Sequence, residues 1–380
     1  MAKKKYSWEK NWNTFKQELP HQQLPFSKKN WGHKRHSICS YQGKLKPAIA
    51  NQLVNIFVPK NGVMLDPFSG VGTIPFEAAL NHKFAYGFDI SLPAYYISSS
   101  KVGVISKDEA FTYVDALGNY IRDNVCTETE LKEALDFGLN KCISEYFEPH
   151  TLREIILARR FLRLSPPQSS SEMAVISSLL HILHGNRPYA LSRRSHPITP
   201  YAPSGEFIYK NLIEKLTEKI SRVINDSLPK KFMQGQIFMQ DSTEAWPDEV
   251  DNLDAIITSP PFFDSTRFYS ANWMRLWFCG WSEYDFKHQI NAYLEEKQKK
   301  SMNVYESIFM QANERLKNNG VCVFHLGKST KCDMASELKE VSKKWFKTAD
   351  LFDESVLHCE SYGIKDIGTV TSHQYLVLVK

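Results

Sequence analysis

The sequence lacks the features of a disulfide-rich, metal-binding or membrane-spanning protein. Seven cysteines are scattered through 380 residues without a Cys-x-x-Cys pair, which argues against a disulfide framework and a thiolate zinc site. No apolar run approaches the length of a transmembrane helix. The basic first residues are not followed by the apolar region of a signal peptide. These absences predict a cytoplasmic protein that has no bound metal and no membrane contact.

Neither positive nor negative charge is in large excess. The net charge is +5, and charged residues make up 23% of the chain. This balance permits a polyanionic partner but does not require one. An apolar content of 42% is enough to bury a sizeable core.

What is present is an alternation of strand and helix patterns that predicts a doubly wound α/β sheet. A strand at 63–65 leads into a turn at 66–73, a helix at 74–80 and a strand at 84–88 that ends on Asp89. Further strands are predicted at 236–239, 255–258, 320–324 and 374–379. Helices are predicted at 46–57 and 302–316.

The pattern changes between these strands, which predicts three parts. Residues 1–31 form a polar N-terminal arm, and residues 32–104 with 232–380 form the α/β core. Residues 105–231 form a mainly helical insertion, interrupted by a Ser-Pro-Pro linker at 165 and an irregular segment at 185–205. There is no internal repeat.

Gly70 and Gly72 lie where the first strand passes into a helix. A glycine there lets the backbone approach a ligand, and the helix N-terminus offers unpaired N–H groups. Asp89 is placed to accept hydrogen bonds from ribose hydroxyls. A tight turn alone would also use these glycines. The absence of a third glycine and of Gly-Lys-Ser/Thr argues against a dinucleotide site and a P-loop.

The turn at residues 66–73, Asp-Pro-Phe-Ser-Gly-Val-Gly-Thr, resembles the cofactor motif of amino-methylating DNA methyltransferases. Residues 40–47 resemble their accessory cofactor motif, and the resemblance extends over about 34–94 and from 237 to the C-terminus. It implies a Rossmann-like class I methyltransferase sheet and S-adenosylmethionine as cofactor. It also implies that Asp241 and Ser242 hold the adenine ring. The implied cofactor-binding residues are Tyr41, Lys46, Asp66, Pro67, Phe68, Gly70, Gly72, Thr73, Asp89, Ile90, Asp241 and Ser242.

The tetrapeptide Ser259-Pro260-Pro261-Phe262 follows a short apolar strand and resembles the catalytic motif of the same family. Two prolines make the turn rigid. An amino nitrogen that attacks a methyl-sulfonium must have its lone pair freed from conjugation. The Ser259 hydroxyl and the Pro260 carbonyl can hold its two N–H bonds, while Phe262 stacks on a flipped base.

The resemblance favours cytosine N4 as the target when the first residue is Ser. Adenine N6 and an RNA amino group remain alternatives. A second tetrapeptide, Ser165-Pro166-Pro167-Gln168, has no aromatic residue and no preceding strand, so it is interpreted as a linker.

Basic and aromatic residues in two segments predict contact with double-stranded DNA. Arg187, Arg193 and Arg194 lie in the irregular part of the insertion, and Arg267 and Tyr269 follow the catalytic motif. A solvated loop would also explain the first group. A packed helix would equally explain the nearby Trp273 and Trp277.

A cytosine C5 methyltransferase is not expected, because no cysteine follows a proline. Three other classes of protein remain as alternatives. An RNA methyltransferase usually begins its motif with Asp or Asn. A non-catalytic subunit would have lost one of the two motifs, and a simple nucleic-acid-binding module leaves the cofactor turn unexplained. A DNA methyltransferase could act with a cognate restriction endonuclease or with defence-system proteins.

Overall fold

A computed structural model describes residues 7–196, 201–263, 267–355 and 370–380, and its centre is a seven-stranded sheet. The strands are β1 Val63–Asp66, β2 Phe84–Asp89, β3 Gln236–Met239, β4 Leu253–Thr258, β5 Leu316–Ser329, β6 Lys347–Ser355 and β7 Val370–Val379. Their order in the sheet is β3-β2-β1-β4-β5-β7-β6. Strands β1 to β5 pair in parallel, whereas β7 is antiparallel to both β5 and β6. The predicted α/β fold with a doubly wound sheet is confirmed.

Fifteen α-helices connect and cover the strands in the described part of the chain. They are α1 Glu9–Glu18, α2 Pro47–Phe57, α3 Thr73–Leu80, α4 Leu92–Val102, α5 Lys107–Asp123, α6 Glu128–Asp136, α7 Pro149–Leu164, α8 Ser170–Ile182, α9 Leu212–Ile224, α10 Phe268–Ala271, α11 Trp273–Phe278, α12 Glu283–His288, α13 Leu294–Lys300, α14 Glu306–Arg315 and α15 Met334–Ser342. A short 3-10 helix, Lys34–Ser37, precedes α2.

Helices cover both faces of the sheet. Because neighbouring residues of a strand point to opposite sides, each strand contributes side chains to the core on either face. On one face, Met64 and Ile257 pack with the apolar side of α2. On the other, Leu65 and Ile256 pack with residues of α14 and α15. Each such side chain is almost fully buried. Burial of an aliphatic side chain of this size stabilises the fold by roughly 1.5–3 kcal/mol.

Part of the predicted N-terminal arm is the helix α1, which packs against the sheet. Trp12 and Phe15 are each 2% exposed and belong to the same core as α2. Trp12 Nε1 donates a hydrogen bond to Asp350 of β6 at 2.7 Å, and Lys16 pairs with the same carboxylate. The division into arm, core and insertion remains a prediction.

Helices α5 to α9 occupy most of the segment predicted as an insertion. Their apolar residues share one core with α4 and α11, including Ile97, Leu179 and Trp273. Trp273 and Trp277 are 0% and 1% exposed, so packing explains both. Ser165-Pro166-Pro167-Gln168 connects α7 to α8. None of the helices described here is long and apolar enough to cross a membrane.

Candidate active site

A cavity that is partly open to solvent lies at the carboxyl ends of β1 to β4. Parallel strands bring the residues at their ends to one edge of a sheet, which is where α/β proteins bind ligands. Among the predicted site residues, the lining includes Tyr41, Asp66, Pro67, Phe68, Gly70, Thr73, Asp89, Ile90, Asp241, Ser242, Ser259 and Pro261. The lining does not include Lys46, Gly72, Pro260 or Phe262.

The two glycines of the turn differ in their surroundings. Both have positive φ angles, +51° at Gly70 and +69° at Gly72. A Cβ at Gly70 would meet nothing within 4 Å, so its backbone faces open space in the cavity. A Cβ at Gly72 would lie 2.7 Å from Ser98 Cβ on α4. Gly70 therefore leaves room for a ligand, whereas Gly72 allows the turn to pack on α4.

Asp66, the last residue of β1, joins the glycine turn to strand β4. Its Oδ1 accepts hydrogen bonds from Thr258 Oγ1 at 2.6 Å and from the Phe68 backbone N–H at 3.1 Å. Burial raises the pKa of Asp66 to about 7, although the Thr258 and Phe68 hydrogen bonds act in the opposite direction. Asp66 therefore fixes the relative positions of β1 and β4.

Asp89 ends β2 and lies in a buried polar cluster. Its Oδ1 accepts a hydrogen bond from the Ser91 backbone N–H at 2.8 Å. Burial raises its pKa to about 6, while backbone hydrogen bonds from Ser91 and Gly70 lower it. The phenols of Tyr41 and Tyr293 are close enough to this carboxylate that its charge raises their pKa values, in addition to the larger effect of burial. This cluster offers acceptors and donors for vicinal hydroxyls.

Asp241 and Ser242 follow β3 and are both held by other residues. Asp241 accepts hydrogen bonds from Lys297 Nζ at 2.7 Å and from the Thr243 hydroxyl at 2.7 Å. Burial alone would raise the pKa of Asp241, but these hydrogen bonds outweigh it and lower the pKa. The Ser242 hydroxyl donates to the Pro67 carbonyl. These contacts join the end of β3 to the cofactor turn and to α13.

The sequence did not indicate that the segment around α13 forms a wall of the cavity. Ala292, Tyr293, Leu294 and Glu295 from this segment line the cavity, together with Phe268 of α10. Glu295 Oε2 accepts the Phe268 backbone N–H at 3.1 Å, while its buried Oε1 has no partner among the described residues. Burial raises the pKa of Glu295 to about 7. The charged sequence of α13 resembles an ordinary solvated helix, so no local signal marked it.

The tetrapeptide predicted to be catalytic leaves β4 at the edge of this cavity. Ser259 Oγ lies 3.0 Å from Nδ1 of His325 on β5. The carbonyl of Pro261 accepts a hydrogen bond from Gln298 Nε2 at 3.0 Å. Within the described ranges, no donor reaches the carbonyl of Pro260. The contacts of Ser259 and Pro261 therefore hold the loop on both sides of the Pro260 carbonyl, which is unpaired among the described residues.

The ring of Phe262 is half-buried against the ends of β5 and β7. A Cβ on Gly327 would lie 2.4 Å from Phe262 Cδ2, so the ring rests directly on that glycine. Its centroid lies 5.5 Å from the ring of His325 and 6.1 Å from that of His373. The predicted stacking of Phe262 on a target base remains a prediction.

Among the four arginines predicted to bind nucleic acid, the three at 187–194 have different surroundings. Arg187 is exposed, and its guanidinium donates to the Tyr189 hydroxyl. Arg193 stacks on Phe207 at 4.2 Å and donates to the backbone carbonyls of Gly205 and Glu145. The side chain of Arg194 is exposed. Arg187 and Arg194 remain accessible to a partner, whereas Arg193 stabilises the loop.

Arg267 and Tyr269 meet at one carboxylate. Arg267 is exposed and lies 3.5 Å from Glu296 Oε1, to which the Tyr269 hydroxyl also donates at 3.4 Å. Tyr269 is only 7% exposed and belongs to the helical core. A direct base contact from Tyr269 would require this side chain to move, whereas Arg267 can reach a phosphate as it stands.

Two buried histidines, His36 and His181, have hydrogen-bond partners within the protein. His36 Nε2 lies 2.7 Å from Glu77 Oε1, and His181 Nδ1 accepts the Ser40 backbone N–H at 3.1 Å. Across the described ranges, no group of three metal-ligating side chains converges.

Comparison with known proteins supports a methyltransferase core. Residues 34–92 match the family described as UPF0020: RMKL-like, methyltransferase domain. This segment contains the cofactor turn and Asp89. No curated protein sequence matches the chain.

Solved structures of low similarity include other methyltransferases. A TehB-like SAM-dependent methyltransferase from Corynebacterium glutamicum is 9% identical, with a TM-score of 0.34, over 87% of this chain and 86% of that one. An rRNA methylase from Streptococcus thermophilus is 10% identical, with a TM-score of 0.31, over 89% of this chain and 97% of that one. At these scores the likenesses say nothing about substrate. The fold rests on the sheet order described above.

The cavity fits S-adenosylmethionine. Gly70 leaves space beside the N-terminus of α3, where unpaired N–H groups favour a carboxylate. Asp89 can accept hydrogen bonds from ribose hydroxyls, and the acidic lining favours a sulfonium cation. The chain is an S-adenosylmethionine-dependent methyltransferase.

Proposed function

We propose that this enzyme methylates the exocyclic N4 of cytosine in duplex DNA after flipping the base into the cavity. One observation carries the proposal: Ser259 and Pro261 line the same cavity as the cofactor turn and Asp89. A base presented to this tetrapeptide would therefore lie beside the cofactor. The serine in the first position favours cytosine, because the resembling enzymes with this residue act mainly on N4.

The chain's own groups account for the chemistry. When bound, S-adenosylmethionine supplies an electrophilic methyl group on sulfur. The Ser259 hydroxyl and the Pro260 carbonyl accept the two N–H bonds of the target amine. These hydrogen bonds turn the nitrogen lone pair out of conjugation and orient it for attack. As the N–CH₃ bond forms, the S–CH₃ bond would break with its electron pair left on sulfur. The methylated nitrogen would then lose one proton to solvent water, so no covalent bond to the enzyme is needed.

Contacts to DNA are proposed for the exposed cations around the cavity and on the insertion. Arg187, Arg194 and Arg267 are exposed and can reach phosphates. Arg193 supports the loop, because its donors already bind backbone carbonyls. Tyr269 is proposed to hold Glu296, and through it Arg267, rather than to touch a base.

The test is methyl transfer from labelled S-adenosylmethionine to duplex DNA, single-stranded DNA and bulk tRNA and rRNA, with each product digested to nucleosides. The expected product is N4-methylcytosine from duplex DNA. N6-methyladenine would contradict the assignment of the base. Transfer to RNA alone would contradict the assignment of the acceptor.

The proposed biological setting is a bacterial-type restriction or phage-defence system in the cytoplasm. A cognate endonuclease or a defence protein would be the partner. The cysteines agree with a reducing compartment, since all six in the described residues are free thiols. Sequencing DNA from cells that express the chain would reveal a methylated recognition sequence, and its absence would contradict this setting.

A further inference from the structure

His325 is the one side chain that is hydrogen bonded to the Ser259 hydroxyl among the described residues. The histidine lies on β5, next to β4 in the sheet, and its Nδ1 is 3.0 Å from Ser259 Oγ. It is 3% exposed. Neither the cofactor turn nor the resemblance in the sequence assigns any role to this position.

The surroundings of the imidazole keep it uncharged. Its ring centroid lies 4.9 Å from that of His373 and 5.1 Å from that of Tyr375. Glu354, the carboxylate whose charge acts on this ring, is already hydrogen bonded to His21 and to the Tyr375 hydroxyl. Burial holds the pKa of His325 well below its ordinary value. His373 and His21 lower it further, while Glu354 opposes them.

The other ring nitrogen, Nε2, is buried and has no hydrogen-bond partner among the described residues. A neutral imidazole carries its proton on one nitrogen and a lone pair on the other. In the described part of the chain, the contact with Ser259 is therefore the only polar contact that can fix this choice. If Nδ1 carries the lone pair, the serine hydroxyl must donate to it.

We propose that His325 is the positioning residue for Ser259: its Nδ1 accepts the serine hydroxyl proton and so leaves the Oγ lone pairs to accept an N–H of the target amine. The proposal rests on the amino-methylation function proposed above. It assigns His325 no contact with the base or the cofactor.

A free serine hydroxyl would work against the reaction. It can rotate and donate its own proton to the lone pair of the target nitrogen, which blocks the nucleophile. A fixed acceptor at Nδ1 removes that orientation before the base arrives. Such preorganised hydrogen bonds are a main source of transition-state stabilisation.

The kinetic test compares His325→Leu, His325→Asn and a matched control, His184→Asn. His184 is also a buried histidine whose Nε2 lacks a partner among the described residues, but it lies just after α8, in the segment predicted as an insertion. In His325→Leu, kcat is expected to fall about 10- to 100-fold with an unchanged dissociation constant for S-adenosylmethionine. His325→Asn should recover part of the rate, because its amide oxygen can accept the serine proton. In a Ser259→Ala background, His325→Leu should cause no further loss.

The control excludes a loss of activity through lower stability alone. His184→Asn should lower Tm as much as the His325 variants do, yet leave kcat within about twofold of the wild type. An equal loss of kcat in His184→Asn would contradict the proposal. So would a full additional loss from His325→Leu in the Ser259→Ala background.

A second measurement does not depend on activity. Nitrogen-15 NMR of labelled histidines, with the signal assigned by His325→Asn, should show a neutral ring with its proton on Nε2 between pH 6 and 8 (a range set by the ordinary histidine pKa of about 6.5). Ser259→Ala should shift the Nδ1 signal, whereas the His184 signals stay in place. A proton on Nδ1, a charged ring or an unmoved signal overturns the proposal. Absence of methyl transfer by the wild type, with the expected NMR signals, overturns the proposed function instead.

Discussion

The chain contains Ser-Pro-Pro twice, and the two copies have different structural surroundings. Ser165-Pro166-Pro167-Gln168 joins α7 to α8, while Ser259-Pro260-Pro261-Phe262 leaves the buried strand β4 at the edge of the cavity. In the first copy the serine is exposed and its carbonyl accepts the Tyr113 hydroxyl at 2.7 Å. In the second the serine hydroxyl contacts His325. The rigid backbone is common to both, so the surroundings determine what each can do.

A glutamine donates to a proline carbonyl in each copy. Gln168 Nε2 reaches Pro166 within its own loop at 2.9 Å, and it is exposed. Gln298 Nε2 reaches Pro261 from α13 at 3.0 Å, and it is 2% exposed. The first contact is local and solvated, while the second joins two distant segments inside the protein. Similar hydrogen bonds therefore have different consequences for stability.

The largest expected effect separates the two serines. Ser259→Ala removes one acceptor for the target amine, which should lower kcat about 10²- to 10³-fold by analogy with loss of an oxyanion-hole donor. Ser165→Ala removes an exposed hydroxyl and should leave kcat within about twofold, because surface substitutions of this kind usually have little effect. Steady-state methyl transfer to duplex DNA measures both.

Binding measurements complete this comparison. Both alanine variants should bind S-adenosylmethionine as the wild type does, because neither hydroxyl is expected to hold the cofactor. Isothermal titration calorimetry can check this. Equal kinetic losses in the two variants would mean that the second Ser-Pro-Pro has no special role in the reaction.

An intermediate effect is expected from the two glutamines. Gln298→Leu leaves the buried Tyr305 hydroxyl without its acceptor, at 2.9 Å in the wild type, and releases Pro261. The free energy of unfolding should fall by about 1–3 kcal/mol. Gln168→Leu should change it by no more than about 0.5 kcal/mol. Urea denaturation followed by circular dichroism gives both values, and equal losses would contradict the comparison.

Much of the sheet could be predicted from the sequence because buried strands form short apolar runs between turn residues. β3 was predicted with its bounds, and β1, β2 and β4 within two residues. β6 was missed, since its acidic residues interrupt the apolar pattern of a partly exposed edge strand. α4 was missed because its run of serines suggests a loop, although Ser98 and Ser100 are buried and bond within the helix.

The candidate site likewise contains some residues that the sequence indicated and others that it did not. Residues at strand ends and in the glycine turn have local signals, so the sequence indicated one side of the cavity. Glu295, Gln298 and His325 come from α13 and β5, and they reach the site only through tertiary packing. No spacing within the chain predicts such a contact. The sequence therefore predicted the side of the cavity formed by local motifs and missed the residues that hold the loop at 259–262.

The smallest expected effect is a pH dependence confined to the cavity beside Ser259. Burial raises the pKa of Asp89 to about 6, and its ionised form is the better acceptor for ribose hydroxyls. Cofactor binding should therefore release protons near pH 6. The affinity for S-adenosylmethionine should fall about tenfold from pH 7.5 to pH 5, since only about a tenth of Asp89 is ionised at the lower pH. Calorimetry in two buffers measures the affinity and the proton release.

Asp89→Asn should bind more weakly and lose this dependence, whereas Ser165→Ala should retain it. A pH dependence that persists in Asp89→Asn would assign it to another carboxylate, of which Asp66 and Glu295 line the same cavity.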